Sequence, residues 1–436
     1  PAWKSLLFLG AAAGLLLNVR SNALPMIAIL PLMLLWVQRH RHAVRKAVVI
    51  FGLFLVGFGI TVSPFVIRNL TVTDRFALTT SQAGFNLYLG NHLHSPDPYY
   101  RPVPFAVTSP FAQGVQFTIE ASRREGRRLS PEEASRYWTG EVFDLANEQP
   151  KAFFTKLLRK ALVLFNRFEA GDHYDIGFLQ REAGFMSAFL PGFALVFPLG
   201  LAGLILAVFR RSNASASLLV LFLLYAATLV MFFTNARYRL PLLIILIPHA
   251  ASVLVEMAQR VRLHKFRSLL PVIALVAAGT VLELLPVRGT ADTTAYYNTH
   301  AIVLNAAGRT QEAVRYWKAS SEMQGGFSDF ANLSLAGYSF STGKIREATQ
   351  WLEKISPGSY AEAQKLVLLG DLAIRERRFG AAAELYRSAL SINSGLLMPR
   401  SRLIGLYEAF NPALAAGERE KKEYIESFYR EAWGNR

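Results

Sequence analysis

Thr234-Asn235-Ala236-Arg237-Tyr238-Arg239-Leu240-Pro241 lies between two apolar runs, Ser217–Phe233 and Leu240–Val255. Each run is close to the length at which an α-helix crosses a bilayer. The octapeptide therefore reads as a tight turn at a membrane surface, between two spans, carrying two arginines and a tyrosine. A turn needed only for reversal is met more simply by Gly, Asn and Ser. Guanidinium forks at the mouth of a helix bundle suit a phosphate, whose oxygens they bind in pairs. Snorkelling Arg and Tyr that merely anchor the interface are the commoner use of such residues. The rest of the chain bears on which use applies.

The 436 residues leave room for two or three domains, and 52% are hydrophobic against 18% charged. With long apolar runs, this composition is that of an integral membrane protein. The net charge of +16 is unevenly spread: residues 1–67 carry +6, 68–187 +1, 188–286 +6 and 287–436 +3. Most of the excess sits in the apolar segments and their short loops, so it is a positive-inside pattern and no nucleic-acid surface. There is no cysteine, which excludes disulfides, zinc thiolates and thiol nucleophiles. The chain begins at Pro1 inside an apolar run, without the features of a signal peptide. It is expected to be a piece whose earlier spans lie upstream.

Outward from the turn, Leu6–Val19 and Ala23–Val37 are short for spans and suggest tilted helices or partial crossings. Ala47–Ile67 is uncharged and long enough to cross, with Pro64 marking a kink or stop near its end. Ala188–Phe209, Ser217–Phe233, Leu240–Val255 and Leu269–Pro286 are four further spans. Arg39–Lys46, Arg210-Arg211, and Arg260, Arg262, Lys265 and Arg267 then share one side, which the positive-inside rule makes the cytoplasm. The segment 68–187, the Arg237 turn, the C-terminal region and, if Ala23–Val37 crosses, Arg20 share the other.

Within the insertion, Thr79–Asn91 alternates in a way that predicts a short strand or extended segment. Ser130-Pro131-Glu132-Glu133 predicts a capping box and a helix to about Asn147. Phe153–Phe168 sets Lys156, Arg159, Lys160 and Arg167 among Phe and Leu, the pattern of an amphipathic helix lying on a membrane. Glu169, Asp172, His173 and Asp175 crowd one turn. They are close enough to be weighed as metal ligands, although solvated or paired side chains are the usual state of such a turn, and no metal site is assigned. His92 and His94, near Asp97, carry a weaker metal signal still.

From Thr294 the sequence repeats. Gly308, Gly343 and Arg377 hold one position, Ala313, Ala348 and Ala382 the next, and Trp317, Leu352 and Tyr386 a third. The spacing is the tetratricopeptide period. Three helix pairs are expected to stack as a short solenoid, with Leu403–Phe410 beginning a capping helix. The expected fold is thus all-α: a polytopic membrane bundle (1–67 and 188–286), a periplasmic insertion (68–187) and a tetratricopeptide domain (287–436).

No phosphate-binding glycine loop, dinucleotide fingerprint, HExxH or nucleophile elbow is present. Several stretches instead resemble the GT-C superfamily of membrane glycosyltransferases. They are Gly14–Ala23, Ser63–Asn69, Ala83–Asn91, Arg159–Leu162 through Glu169 and Tyr174, and Ala236–Pro241. The nearest branch is similar to protein O-mannosyltransferases and aminoarabinose transferases that carry C-terminal tetratricopeptide repeats. The resemblance implies sugar transfer from a polyprenyl-phosphate donor, on the periplasmic face of a bacterial inner membrane, to a protein or glycan that the repeats could recruit. No cofactor beyond that lipid-linked donor is implied. By the same analogy Arg20, Arg237 and Tyr238 lie at the lipid phosphate. Arg68, Asn86, Asn91, Glu169 and Tyr174 belong to the loop that caps the site. In that family the catalytic carboxylate follows the first span, so it is expected upstream of Pro1 and residues 1–436 alone are expected to be inactive. The alternatives are a surface-polysaccharide polymerase or ligase using a lipid diphosphate donor, and a membrane-anchored repeat scaffold for envelope assembly.

Overall fold

Gly10 and Gly57 allow two helices to meet backbone to backbone. The computed structural model describes residues 3–37, 43–73, 76, 78, 82–93, 98–168, 192–287, 293–323 and 325–433. In it, a Cβ at Gly10 would run into the Phe54 carbonyl, and one at Gly57 into the Leu7 carbonyl. These residues join α1 (Trp3–Val19) to α3 (Ala43–Thr73). Contacts pair early residues with early and late with late, so the two run parallel, and α2 (Leu24–Val37) returns between them. Small residues at such a seam allow close approach where lipid gives no hydrophobic drive. Thr61 Oγ1 donates to the Ala11 carbonyl at 3.1 Å, and Asn18 Nδ2 to the Thr61 carbonyl at 3.2 Å. Pro64 does not stop α3, which continues to Thr73. The apolar Phe65–Ile67 segment extends the helix, and proline is tolerated in such helices. Arg68 and Asn69 are therefore helical.

The second half of the bundle is α8 (Phe193–Phe209), α9 (Asn213–Met231), α10 (Ala236–Arg262) and α11 (Leu270–Leu284). Four helical stretches are long and apolar enough to cross a membrane: Ala47–Val72, Asn213–Met231, Ala236–Arg262 and Phe266–Leu284. Helices α1, α2 and α8 are apolar but shorter. Gly200 and Gly203 bring α8 onto α10, since Cβ atoms there would strike Leu246 and His249. Phe197, Leu204, Phe222, Leu229 and Leu242 fill the core between these helices.

The insertion holds α4 (Ala83–Asn91), α5 (Pro110–Glu125), α6 (Pro131–Glu148) and α7 (Pro150–Phe165). Its core is built around Trp138, fully buried, with Phe105 stacked at 5.3 Å and Tyr88 at 4.6 Å. The capping box forms as expected: Ser130 Oγ accepts from the Glu133 N–H at 3.2 Å, and the Ser130 N–H donates back to Glu133 at 2.8 Å. One expectation is overturned. Ala83–Asn91 is a helix, not an extended segment, because Phe85, Tyr88 and Leu89 fall on one helical face and are buried together. Helix α7 does not hold all its cations on a free surface. Phe154 and Leu158 are exposed while Lys156 and Lys160 point inward, 3% and 0% exposed.

The C-terminal region is four helix pairs: α12 (Thr293–Ala306) with α13 (Thr310–Glu322), α14 (Ser328–Ser341) with α15 (Ile345–Glu353), α16 (Glu362–Arg375) with α17 (Phe379–Ile392), and α18 (Leu397–Phe410) with α19 (Pro412–Trp433). Gly308, Gly343 and Arg377 take the same place in the first three turns, with φ of +79°, +78° and +60°. Ala313, Ala348 and Ala382 are buried where the helices touch, and Trp317, Leu352 and Tyr386 fill the gap beside them. Leu403–Phe410 does not stand alone as a cap; it belongs to a complete fourth pair. Helix α19 covers α5, where Val115 and Ile119 meet Ile425, Phe428 and Tyr429. Gln116 lies under this seam, donating to the Tyr429 hydroxyl at 3.0 Å and accepting from Asn393 at 3.1 Å.

Candidate functional site at one end of the bundle

Helix α9 ends at Met231 and α10 begins at Ala236, and the turn between them gathers polar side chains from the end of α1, from α4 and from α7. Asn235 caps α10, its side chain accepting from the Tyr238 N–H at 3.1 Å. Arg237, Tyr238 and Arg239 therefore occupy the first turn of a helix and not the apex of a loop. That geometry sends the three side chains in different directions.

Arg239 turns inward and is 2% exposed. It donates to the carbonyls of Asn166 at 2.6 Å and Phe168 at 3.0 Å, and lies 4.0 Å from the Phe193 ring. It also reaches the Leu164 carbonyl at 3.4 Å, one of the acceptors that the last turn of α7 leaves unmet. The guanidinium fork satisfies these carbonyls and ties α10 to α7.

Lys160 does the same for α9. Its ammonium donates to the Phe232 carbonyl at 2.9 Å and to Asn91 Oδ1 at 2.7 Å, while Asn91 Nδ2 donates to the Met231 carbonyl at 2.7 Å. A cation at a helix C-terminus is favoured by the backbone dipole. Gly90 allows the approach, because a Cβ there would meet the Phe232 carbonyl. Lys156, one turn earlier, donates to the His92 carbonyl at 2.6 Å. Burial, with Lys156 alongside, holds the Lys160 ammonium well below the ordinary lysine range.

Arg20 and Arg237 are different. Arg20 is half-buried at the end of α1 and Arg237 is exposed, and each guanidinium carbon lies 5.2 Å from the Tyr238 ring centroid. Arg237 also reaches the Tyr238 hydroxyl at 3.3 Å. Nearby in the turn, the Thr234 hydroxyl is buried without a hydrogen-bond partner among the described residues. A cation over an aromatic face is worth about 0.5–1 kcal/mol at exposed sites, far less than a buried guanidinium gains from several carbonyls. Arg20 and Arg237 thus share the Tyr238 ring at the end of the bundle, whereas Lys156, Lys160 and Arg239 are buried in the frame.

Of the residues expected at the site, the structure brings together Arg20, Arg237 and Tyr238. Asn91 is fully buried and serves the end of α9, so its place is structural. Arg68 is exposed on α3 and Asn86 half-buried on α4, and no hydrogen bond, ion pair or ring contact among the described residues joins them to Tyr238. Glu169 and Tyr174 lie outside the described residues, as do Asp172, His173, Asp175, His94 and Asp97. Among the described residues no group of three or more His, Asp or Glu could hold a metal. Sequence reasoning missed Lys160 and Arg239 as organisers of this end. Their signal was a basic side chain inside an apolar helix face, which also fits snorkelling. No protein-family model matches the chain, and no curated protein does.

Proposed function

We propose that the chain is a membrane glycosyltransferase that takes a sugar from a polyprenyl-phosphate donor, with Arg20 and Arg237 holding the donor phosphate over Tyr238. The observation that supports this reading is the meeting of those two guanidinium groups, from distant parts of the chain, on one aromatic ring at the end of the spans. In the transfer, an acceptor hydroxyl oxygen attacks the anomeric carbon and the sugar–phosphate C–O bond breaks. The acceptor's proton passes to a general base, and polyprenyl phosphate leaves with both bond electrons. Arginines near that phosphate stabilise the charge that develops as it leaves. The basic loop residues Arg210, Arg211, Arg260, Arg262, Lys265 and Arg267 lie towards the opposite ends of α8 and α10, which by the positive-inside rule supports a donor site on the periplasmic face of a bacterial inner membrane. The C-terminal helix pairs are read as tetratricopeptide repeats that present an acceptor to the insertion.

The test is binding of a polyprenyl-phosphate sugar to the full-length protein in nanodiscs. Arg20→Ala and Arg237→Ala are each expected to weaken it tenfold or more, with the polyprenyl-diphosphate oligosaccharide binding less well. Preference for the diphosphate favours the polymerase or ligase reading. Unchanged binding in both variants removes the site. The second reading, a membrane-anchored scaffold, draws on the firm seating of α19 on α5, and it predicts no donor binding at all.

A further inference from the structure

Between Glu182 and Glu283 the chain has one acidic residue, Glu256. It stands near the end of α10, away from the Tyr238 cluster, and its carboxylate is shared. Arg210, at the end of α8, donates to Glu256 Oε1 at 2.5 Å, and Arg260 donates to the same oxygen. Arg260 also reaches the Ser268 carbonyl in the 3-10 turn that starts the approach to α11. One carboxylate thus fixes two guanidinium groups from different spans.

These residues line a cleft of about 640 Å³ together with Gln259, Lys265 and Leu263. Three cations face one carboxylate, so the cleft keeps a net positive charge after its internal pairing. Arg210 remains about half exposed, at 53%, and Glu256 is largely covered, at 17%. The cleft is therefore built with its acid inside and a cation outside. Two of its lining residues, Val255 and Leu263, are apolar and 57% and 61% exposed, and Phe209 and Phe266, next in sequence to Arg210 and Lys265, add exposed apolar surface at 76% and 57%.

We propose that this cleft binds the phosphate of an anionic phospholipid headgroup in the leaflet at this end of the bundle, its acyl chains lying on this exposed apolar surface. Guanidinium groups held by Glu256 are preset for phosphate oxygens, and Lys265 adds a mobile point charge. A free phosphate ion offers the same oxygens but leaves the apolar surface in contact with water or bulk lipid, and this favours the lipid as the source. Positive-inside charge alone would attract anionic lipid along the whole loop; the cleft makes the attraction local.

The experiment measures lipid retained by the full-length protein, by native mass spectrometry from nanodiscs of phosphatidylcholine doped with phosphatidylglycerol. Phosphatidylglycerol is expected to be retained at least tenfold over phosphatidylcholine. Arg210→Gln with Lys265→Gln is expected to abolish that preference, and the exposed Lys265→Gln alone to reduce it several-fold. Arg262→Gln with Arg267→Gln removes the same charge from outside the cleft and is expected to leave the preference unchanged. Equal loss in both double variants, or no loss in Lys265→Gln and the Arg210/Lys265 pair, overturns the proposal. Displacement of phosphatidylglycerol by millimolar inorganic phosphate identifies the free ion as the ligand and overturns the lipid assignment.

Discussion

Arg20 and Tyr238 meet across the bundle, the guanidinium carbon of one 5.2 Å from the ring centroid of the other. A double-mutant cycle with Arg20→Ala and Tyr238→Ala, read in thermal unfolding, is expected to give a coupling of about 0.5–2 kcal/mol. Tyr238→Phe keeps the ring and is expected to keep most of the coupling with Arg20, while releasing the Arg237 contact to the hydroxyl. Zero coupling in the cycle would show that the two side chains do not hold each other.

Lys160→Met leaves the Phe232 carbonyl and Asn91 Oδ1 without a donor, and is expected to cost about 1–3 kcal/mol in chemical denaturation.

The same side chain gives the wild type a pH dependence. Its folded pKa lies below the ordinary value of about 10.4. In the window between the two, the unfolded chain binds the proton more tightly. Stability linked to Lys160 is complete above about 10.4 and is lost as pH falls through the folded value. Melting temperature should rise with pH between the folded value and about 10.4, and Lys160→Met should flatten that rise relative to wild type.

Glu133 titrates in the opposite corner of the pH range. The Ser130 N–H and Arg127 hold its pKa down to about 2. Its stabilisation is complete above the ordinary Glu value of about 4.3 and is lost as pH falls towards about 2. Glu133→Gln should remove that part of the acid transition, followed by circular dichroism.

In the repeats, Arg377 occupies the left-handed region where its counterparts are glycine. Arg377→Gly is expected to stabilise by about 1 kcal/mol. Gly370→Ala is expected to destabilise by about 1–3 kcal/mol, because its Cβ would press on the Tyr386 ring. Urea titration measures both.

Much of the fold was legible because its signals are local. The Ser130–Glu133 box, the long apolar helix through Phe54, and the repeat positions at Gly308, Gly343 and Arg377 depend on residues within one or two turns. Helix α4 was misread because Gly84 and Gly90 look like strand or turn residues, yet they serve close contacts with Ser135 and Phe232. The inward turn of Lys156 and Lys160 was hidden for a similar reason. Their acceptors, the carbonyls of His92 and Phe232, come from distant segments, and a carbonyl is invisible in a side-chain pattern. At the site, Arg20, Arg237 and Tyr238 were readable by residue type, but only the first turn of α10 decides that Arg237 faces out while Arg239 faces in.

The seam between α5 and α19 sets a delay in synthesis. Gln116 and Tyr429 are 313 positions apart. At about 5–20 residues per second, a ribosome needs roughly 15 to 60 s to supply the second after the first. For that interval Val115 and Ile119 have no cover from α19, so each newborn molecule exposes an apolar strip to chaperones until that helix has been made.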